Sequence, residues 1–369
     1  MTEAVITGEL SACTRDYKIA VIKIGSSTIT NGEGKVDRAY MADLAYQVHK
    51  VRSQGWRPII VSSGSIPCGL EALGLPLKRP RDMSLVQAAA SVGQRALSAA
   101  YDQVFSPYDM LTSLVLLTRR DTADRTAYLN ARATLRRLVD LNVVPIVNEN
   151  DTVSVEQIKF GDNDTLAALV ACLVEADRVV LLSDIDGLYT ANPHSDPDAK
   201  LIQTVDRITP AIIDGATGAG SVVGSGGMST KIKAARVLAA AGIPMVICHG
   251  RAESAVARSL EETPLGTLFS AKNPTHEISA RKLWIALGDS VKARIVVDAG
   301  AADALISQGS SLLSVGVHAI EGAFGVSDVV DVVDLDGYVI ARGLVRVASE
   351  DVTNESGVVI HRDELVVFE

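Results

Sequence analysis

Six short apolar runs constrain the fold of this chain more than any other feature. They are rich in β-branched residues, they end in turn or capping residues, and they span 17–25, 57–64, 112–118, 143–150, 178–184 and 243–250. Stretches with helical spacing of apolar residues separate them, as in 37–53. Because buried strands alternate with amphipathic helices, we expect an α/β fold with an open, largely parallel sheet and helices on both faces.

The pattern changes after about residue 270. There, short runs with period-2 alternation are separated by Gly or Asp turns, which predicts a small, mostly antiparallel β-barrel-like domain. A chain of 369 residues with 47% hydrophobic content is also long enough for two domains. We therefore expect an N-terminal tail over 1–16, a first domain over 17–272, a linker over 273–288 and a second domain over 289–369.

The net charge of −9 is concentrated in the predicted second domain. Residues 289–369 carry 14 acidic and 5 basic side chains, so the charges of the remaining chain balance. A domain of this charge repels the phosphates of nucleic acid, so we do not expect nucleic acid as a partner.

The sequence also bears on location. No apolar run reaches the roughly 18–20 residues of a membrane span, and the N-terminus lacks the basic and apolar regions of a secretory signal. The cysteines are scattered without paired spacing, at Cys13, Cys68, Cys172 and Cys248. Unpaired thiols are typical of reducing compartments, so we expect a cytoplasmic protein without a membrane partner.

Lys23 interrupts the first apolar run just before a Gly-Ser-Ser turn. A buried ammonium group needs an anionic partner, so this position favours contact with a ligand; the alternative is an edge-strand lysine that reaches solvent. The turn adds backbone N–H groups suited to phosphate oxygens. Ser63, in the turn "VSSGSI", offers a hydroxyl to a small ligand, although Ser-Gly turns are common in proteins without such a ligand.

Two segments, "VNENDTV" (147–153) and "KFGDNDTLAA" (159–168), concentrate acidic and amide side chains. The second places Asp162, Asn163 and Asp164 at a predicted helix N-terminus. Capping explains one of these residues. Three in succession, together with Asp151, indicate a site for a substrate amine or for hydrated Mg²⁺.

Two further segments are suited to a nucleotide. Ser183 and Asp184 end the fifth apolar run, where they suit a ribose or a phosphate-bound metal, with a simple Asx turn as the alternative. The segment "GSGGMSTKIKAA" offers glycine N–H groups and Lys231 at the start of a helix, which attracts anions. Its lysine follows the Ser-Thr pair and no strand directly precedes it, which excludes a P-loop; a flexible surface loop is the alternative.

Together these motifs resemble the amino acid kinase superfamily and, within it, the glutamate 5-kinase family. The resemblance covers nearly the whole chain from Tyr17, and it rests on "VIKIGSS", "SSGSI", "LLTRRD", "LNARATL", "VPIVNENDTV", "KFGDNDTLAALVA", "GLYTANP" and "GGMSTK". The second domain resembles a PUA domain. Two departures, Ser62 where threonine is common and "SDIDGLY" for the usual "TD-x-x-GLY", keep the hydroxyl and the acid.

The resemblance implies ATP-dependent phosphorylation of the side-chain carboxylate of L-glutamate, the first step of proline biosynthesis, with ATP and Mg²⁺ required. It implies that Lys23 contacts the transferring phosphoryl group, that Lys231 neutralises nucleotide charge, and that Asp164 orients both lysines. Asp162 and Asp164 are the candidate ligands that the resemblance offers for Mg²⁺. The implied glutamate ligands are Ser63, Asp151 and Asn163. The implied ATP ligands are Lys23, Ser183, Asp184, Ser225, Gly226, Gly227, Met228, Ser229, Thr230 and Lys231.

Other functions stay open at this point. Acetylglutamate kinase, aspartokinase and uridylate kinase share the lysines and glycines, but not the "NEND" and "GDND" pair followed by a PUA-like domain. From another class, an RNA-binding protein built around the PUA-like domain is the alternative. The resemblance further implies a homo-oligomer, feedback inhibition by proline, and transfer of the labile product to glutamyl phosphate reductase.

Overall fold

An eight-stranded sheet organises the first part of the chain. The computed structural model describes residues 15–118, 124–153, 163–193, 196–217, 227–271, 280–287, 291, 293–353, 355 and 357–368. Up to Phe269 the strands are β1 (Lys18–Ile24), β2 (Trp56–Ser62), β3 (Thr112–Leu117), β4 (Val144–Glu149), β5 (Arg178–Ser183), β6 (Leu188–Tyr189), β7 (Leu201–Ile202), β8 (Thr204–Val205), β9 (Met245–His249) and β10 (Thr267–Phe269).

The order of the strands places β1 in the middle of this sheet. The order is β3-β4-β2-β1-β5-β9-β10-β8, while β6 and β7 form a separate hairpin. Every neighbouring pair in the sheet is parallel except β9 and β10. This confirms the predicted open, largely parallel sheet. Because β4, β2, β1 and β5 are adjacent and parallel, their carboxyl ends meet at one edge.

Helices cover both faces of the sheet, as predicted. They are α1 (Ser26–Ile29), α2 (Arg38–Ser53), α3 (Ser65–Ala72), α4 (Met83–Phe105), α5 (Arg125–Asp140), α6 (Asn163–Val174), α7 (Pro210–Thr217), α8 (Met228–Ala240) and α9 (Ala255–Ser259). One hydrophobic cluster lies between the sheet and α5, α6 and α8, and a second lies between the opposite face and α2, α4 and α9. In the ranges that the structure describes, no helix is long and apolar enough to cross a membrane.

Aspartates fix where three of these helices begin. Asp37, Asp82 and Asp124 precede α2, α4 and α5, and each side chain accepts a hydrogen bond from a backbone N–H of the first turn. An N-cap of this kind satisfies one of the N–H groups that has no partner inside the helix.

Helices α3 and α4 cross with their backbones in contact. A Cβ atom added at Gly93 would overlap the carbonyl oxygen of Ser65, and one added at Gly69 would overlap that of Ala89. Gly64 turns the chain from β2 into α3 at a φ of +112°, a conformation that glycine adopts readily. The crossing therefore holds the start of α3 at the edge where the strands end.

A second sheet forms the last part of the chain. Its strands are β11 (Arg294–Val297), β12 (Leu312–Leu313), β13 (Val317–Glu321), β14 (Val329–Val333), β15 (Val339–Val345) and β16 (Val358–Val367), with helix α11 (Ala299–Gln308) between β11 and β12. The order is β12-β16-β15-β14-β11-β13, antiparallel except for the pair β11 and β14. This confirms the predicted small, mostly β domain.

Helix α10 (Ala280–Leu287) lies in the range predicted as a linker. Its buried Leu283 and Ile285 belong to the same hydrophobic cluster as residues of α6 and α8, and so does Phe368 near the C-terminus. The two parts of the chain therefore share a core at this point. The domain boundaries themselves stay a prediction.

We expect Gly93→Ala to lower the free energy of unfolding by about 2–3 kcal/mol, because the added methyl group must push α3 away from α4. Urea denaturation followed by circular dichroism measures this change. Gly215→Ala in α7 is the matched control, because no atom lies within 4 Å of a Cβ added there. That variant should equal or exceed the parent's stability by up to ~1 kcal/mol. A Gly93→Ala protein as stable as the parent would contradict the close crossing.

Candidate active site

Lys23, Asp164 and Lys231 form an ion cluster at the carboxyl edge of the sheet. Lys23 lies near the end of β1, Asp164 is the second residue of α6, and Lys231 lies in the first turn of α8. The Nζ atom of Lys23 is 2.5 Å from Oδ1 of Asp164, and the Nζ atom of Lys231 is 3.1 Å from Oδ2. One carboxylate thus holds two ammonium groups that come from distant parts of the chain.

The alternation of side chains along β1 explains why Lys23 reaches this cluster. Val21 packs into the hydrophobic cluster that faces α6 and α8, whereas Ile22 packs into the cluster on the opposite face. Successive side chains of a strand point to opposite faces, so Lys23 lies on the same face as Val21. Strand geometry therefore directs the ammonium group toward α6.

The ion cluster is buried and carries a net positive charge. The exposed fraction is 0% for Asp164, 6% for Lys23 and 4% for Lys231. Burial raises the pKa of Asp164, but the charges of Lys23 and Lys231 outweigh burial and hold that pKa below its usual value. The carboxylate is therefore ionised, and two ammonium groups leave an excess of one positive charge. A fixed positive charge at low dielectric is suited to a phosphate or carboxylate anion.

Thr230 connects the first turn of α8 to the ion cluster. Its Oγ1 atom lies 2.9 Å from Oδ2 of Asp164 and 2.7 Å from the carbonyl oxygen of Gly227. The hydroxyl has one proton, so it donates to one of these acceptors at a time. When it donates to Asp164, it stabilises the ionised carboxylate that holds both lysines.

A polar cluster lies directly beside the ion cluster. The Nδ2 atom of Asn163 is 3.1 Å from both Oγ of Ser63 and Oδ1 of Asn148. Behind them Gln94, on α4, accepts a hydrogen bond of 3.1 Å from Nδ2 of Asn148. A connected series of this kind fixes which way each amide points. The structure thus brings together Ser63 and Asn163, both predicted from sequence to bind substrate.

Other predicted ligand residues lie at the ends of β4 and β5. Asp151 follows β4, and the Oγ atom of Ser65 lies 3.4 Å from its Oδ2. Ser183 ends β5 and donates a hydrogen bond of 3.1 Å to Oδ1 of Asp184. Ser183 is buried and Asp184 is exposed, so a serine hydroxyl and a carboxylate lie at the edge where the strands end.

Helix α8 presents its predicted nucleotide residues in different directions. Thr230 and Lys231 face the ion cluster, Met228 packs against the hydrophobic cluster beneath, Ser229 is exposed, and Gly227 precedes the helix. Their roles in ATP binding stay predictions. Three predicted residues lie outside the described residues: Asp162, Ser225 and Gly226.

Asp164 is poorly suited to bind Mg²⁺ directly. Both of its oxygens already contact ammonium groups, whereas Mg²⁺ needs oxygen ligands that are free to coordinate it. Among the described residues, no three His, Cys, Asp or Glu side chains are grouped as a metal site. Mg²⁺ at this edge therefore fits best as an ion held by the phosphate oxygens of a nucleotide and by water.

Gln94 and Ser65 take part in the site although no prediction from sequence includes them. Gln94 lies within the long helix α4, and its contact with Asn148 depends on how α4 crosses the sheet. No local pattern carries that information. Ser65 does have a signal, because it is the last serine of the motif "SSGS" that begins at the last residue of β2.

A model of the amino acid kinase family matches residues 18–249, the range that holds both the ion cluster and the polar cluster. The chain belongs to the amino acid kinase family. A PUA domain model matches residues 293–359, within the second sheet and its helix. The ion cluster is thus formed entirely by residues of the amino acid kinase region.

Glutamate 5-kinases are similar to this chain along nearly its whole length. The glutamate 5-kinase from Geobacter sp. (strain M21) is 43% identical over 96% of this chain and 98% of its own length. The one from Streptococcus suis (strain 05ZYH33) is 41% identical over 95% of this chain and 99% of its own length. Carbamate kinase from Giardia lamblia bound to AMP-PNP has a similar fold, with a TM-score of 0.51, 19% identity, and coverage of 69% of this chain and 99% of its own.

We expect Asp164→Asn to lower the free energy of unfolding at pH 7 by about 3–5 kcal/mol, because it leaves two buried ammonium groups without a counter-charge. The pKa of Asp164 is depressed in the folded state. Its contribution is therefore complete above the unfolded pKa of about 3.9 and is lost as the pH falls through the lower folded pKa. Urea denaturation should show a constant difference from about pH 8 to about pH 5, and a smaller one only below about pH 4.

Asp198→Asn is the control for that series, because Asp198 is exposed. Its effect should stay within about 0.5 kcal/mol at every pH. A difference between Asp164→Asn and the parent that already declines at pH 6 would show that Asp164 has no depressed pKa.

We expect Thr230→Val, which keeps the shape of the side chain but removes the hydroxyl, to lower kcat about tenfold, the equivalent of one hydrogen bond to a charged group. Thr230→Ser keeps the donor and should stay within about twofold of the parent. ADP release under steady-state conditions measures both variants. Equal kcat values for the valine and serine variants would exclude a role for the hydroxyl.

Proposed function

We propose that this chain transfers the γ-phosphoryl group of ATP to the side-chain carboxylate of L-glutamate and releases L-glutamyl 5-phosphate and ADP. The observation that carries the proposal is the contact between the two clusters. Asn163 belongs to the polar cluster with Ser63, and the next residue, Asp164, holds both lysines. An acceptor bound by the polar cluster therefore lies beside the positive charge. The glutamate 5-kinases that match along nearly the whole chain support this choice of acceptor.

The reaction needs no general base from the protein. A glutamate side chain, with a pKa of about 4.3, is already ionised at neutral pH. One carboxylate oxygen forms a bond to the γ-phosphorus while the bond between that phosphorus and the bridging oxygen of ADP breaks. Catalysis then consists of bringing two anions together in line and stabilising the charge between them.

Each member of the ion cluster has a role that follows from its position. Lys23, at the centre of the sheet edge, is placed to contact the transferring phosphoryl group. Lys231, in the first turn of α8, is placed to contact the nucleotide phosphates, where the N-terminus of the helix adds favourable N–H groups. Asp164 is a positioning residue, because it keeps both ammonium groups at hydrogen-bond distance from one carboxylate. When bound, Mg²⁺ neutralises charge on the phosphates of ATP.

The polar residues account for recognition of an amino acid as the acceptor. We assign Asp151 to the ammonium group of glutamate, since a carboxylate is the side chain that pairs with an ammonium group in a cleft. Ser63 and Asn163 supply hydroxyl and amide groups to the glutamate oxygens. Ser183 and Asp184, at the end of β5, are assigned to ATP.

The experiment that tests this proposal traps the product. The purified protein is incubated with ATP, Mg²⁺ and hydroxylamine, together with L-glutamate, N-acetylglutamate, aspartate or UMP as acceptor. Hydroxylamine converts an acyl phosphate into a stable hydroxamate, so we expect hydroxamate and ADP with L-glutamate. Hydroxamate only with N-acetylglutamate or aspartate would replace L-glutamate by that acceptor, and ADP release only with UMP would indicate a nucleotide kinase.

Substitutions then test the assigned roles. Lys23→Ala and Lys231→Ala should each lower kcat by about 10²–10³, because each removes a charge that stabilises the transition state. Lys50→Ala is the matched control, since Lys50 is exposed in the last turn of α2. Near-normal turnover in either active-site variant, with normal unfolding curves, would remove that lysine from the mechanism.

We also propose that the enzyme acts in the cytoplasm as a homo-oligomer, is inhibited by proline, and passes its product to glutamyl phosphate reductase. The free thiols of Cys68, Cys172 and Cys248 support a reducing compartment. Self-association is supported by the edge strand β3, since Leu111, just before the strand, and Leu114, within it, are 71% and 40% exposed. An acyl phosphate hydrolyses in water, which favours its direct consumption by a reductase.

A further inference from the structure

A cavity of about 110 Å³ lies between α8 and the C-terminal part of the chain. On the α8 side, Ser229, Lys233 and Arg236 line it. Their spacing of four and three residues places them on one face of the helix. Lys231 points away from this face, toward Asp164. The cavity therefore lies behind the helix that carries Lys231, outside the active site.

Positive side chains form most of the polar wall of this cavity. Lys233 and Arg236 come from α8, and Arg342 comes from β15. Arg342 is already neutralised, because its Nε atom lies 2.7 Å from Oδ1 of Asp331. Among the described residues that line the cavity, none carries a carboxylate.

Arg236 is bound differently from Arg342. Its guanidinium group donates to the carbonyl oxygen of Val339, and its Cζ atom lies 4.4 Å from the centre of the Phe368 ring. Within the described part of the chain, it forms no ion pair with a carboxylate. A carbonyl and a ring stabilise a cation, but neither neutralises it.

Burial and then the neighbouring charge of Arg342 lower the pKa of Arg236 to about 10. The Asp331 carboxylate opposes this shift with a smaller effect, and the group is still protonated at neutral pH. The cavity therefore contains a partly desolvated cation whose direct partners, among the described residues, are a carbonyl and a ring. An anion beside it would gain both a hydrogen bond and a favourable charge interaction.

The rest of the wall is apolar. Ile213 of α7, Ile232 of α8 and Phe368 contribute hydrocarbon surface. A volume of about 110 Å³ is large enough for several waters or one small organic molecule. A hydrated phosphate would leave the apolar half of this wall without a partner, whereas a carboxylate with a short hydrocarbon body satisfies both halves.

We propose that this cavity is a binding site for a small carboxylate with an apolar body, with Arg236 as its principal ligand. A molecule held there contacts α8 on one side and β15 and Phe368 on the other. It binds best when these elements are docked together, so its binding stabilises the position of α8 and therefore of Lys231. The site is independent of the identity of the phosphoryl acceptor.

Trp284 provides a direct measurement of binding. It lies in α10, two residues before Ala286 of the cavity wall. The chain contains only two tryptophans, so the full-length Trp56→Phe variant reports from Trp284 alone. Titration with 3-methylbutanoate, without substrates, should give a saturable change in fluorescence. The amine 3-methylbutylamine has the same hydrocarbon body but the opposite charge, and should give none.

Substitutions in the same background identify the binding group. Arg236→Gln should weaken binding of 3-methylbutanoate about tenfold, the equivalent of one hydrogen bond between charged groups. Arg236→Lys should retain most of it. Arg95→Gln on α4 is the control, because Arg95 is exposed on the opposite side of the sheet, and this variant should bind like the parent.

Three results would overturn the proposal. They are the absence of a saturable signal with the carboxylate, equal binding of carboxylate and amine, and undiminished binding in Arg236→Gln. Stronger binding of inorganic phosphate than of 3-methylbutanoate would also overturn the ligand class. If Arg236→Gln does not fold, Arg236→Met, which keeps the length and the apolar stem of the side chain but removes its charge, provides the second test, and undiminished binding in that variant would have the same consequence.

Discussion

The carboxylate of Asp164 is the interaction on which the rest of the site depends. It is completely buried, a state that strongly disfavours a charge unless that charge is paired. Burying the ammonium groups of Lys23 and Lys231 is just as unfavourable without this carboxylate. Each of the three groups therefore offsets the cost of burying the others. The same arrangement ties the end of β1 and the starts of α6 and α8 to one point. The need to pair these buried charges therefore fixes the positions of the groups that phosphoryl transfer uses.

Much of this could be predicted from the sequence because the signals are local. Apolar runs marked the strands of the parallel sheet, and Lys23 was recognisable as a charge inside such a run. The acidic and amide residues before α6 exceeded what a helix cap needs, and Asn163 and Asp164 each join a cluster in the structure. The motifs gave the family, which the match over residues 18–249 confirms.

The remainder depends on packing between distant elements. Gln94 orients Asn148 because the packing of α4 brings these two side chains within hydrogen-bond distance. That packing includes the close contact of Gly93, the preceding residue, with α3. The cavity behind α8 exists only because β15 and Phe368 approach that helix. Ser229 and Lys231 lie two residues apart in one sequence motif. Ser229 nevertheless faces this cavity, whereas Lys231 faces Asp164. Such facts require the tertiary structure.

The order of the strands has a consequence for how the chain acquires its structure. The central strand β1 is the first to be synthesised, but one of its two neighbours, β5, ends only at Ser183. Contacts between residues so far apart in sequence form slowly, since a long loop must close before they stabilise anything. During synthesis β1 therefore stays unpaired on one side until about half of the chain has been made. This stretch, rich in isoleucine and valine, is the segment we expect to need protection by chaperones on the ribosome.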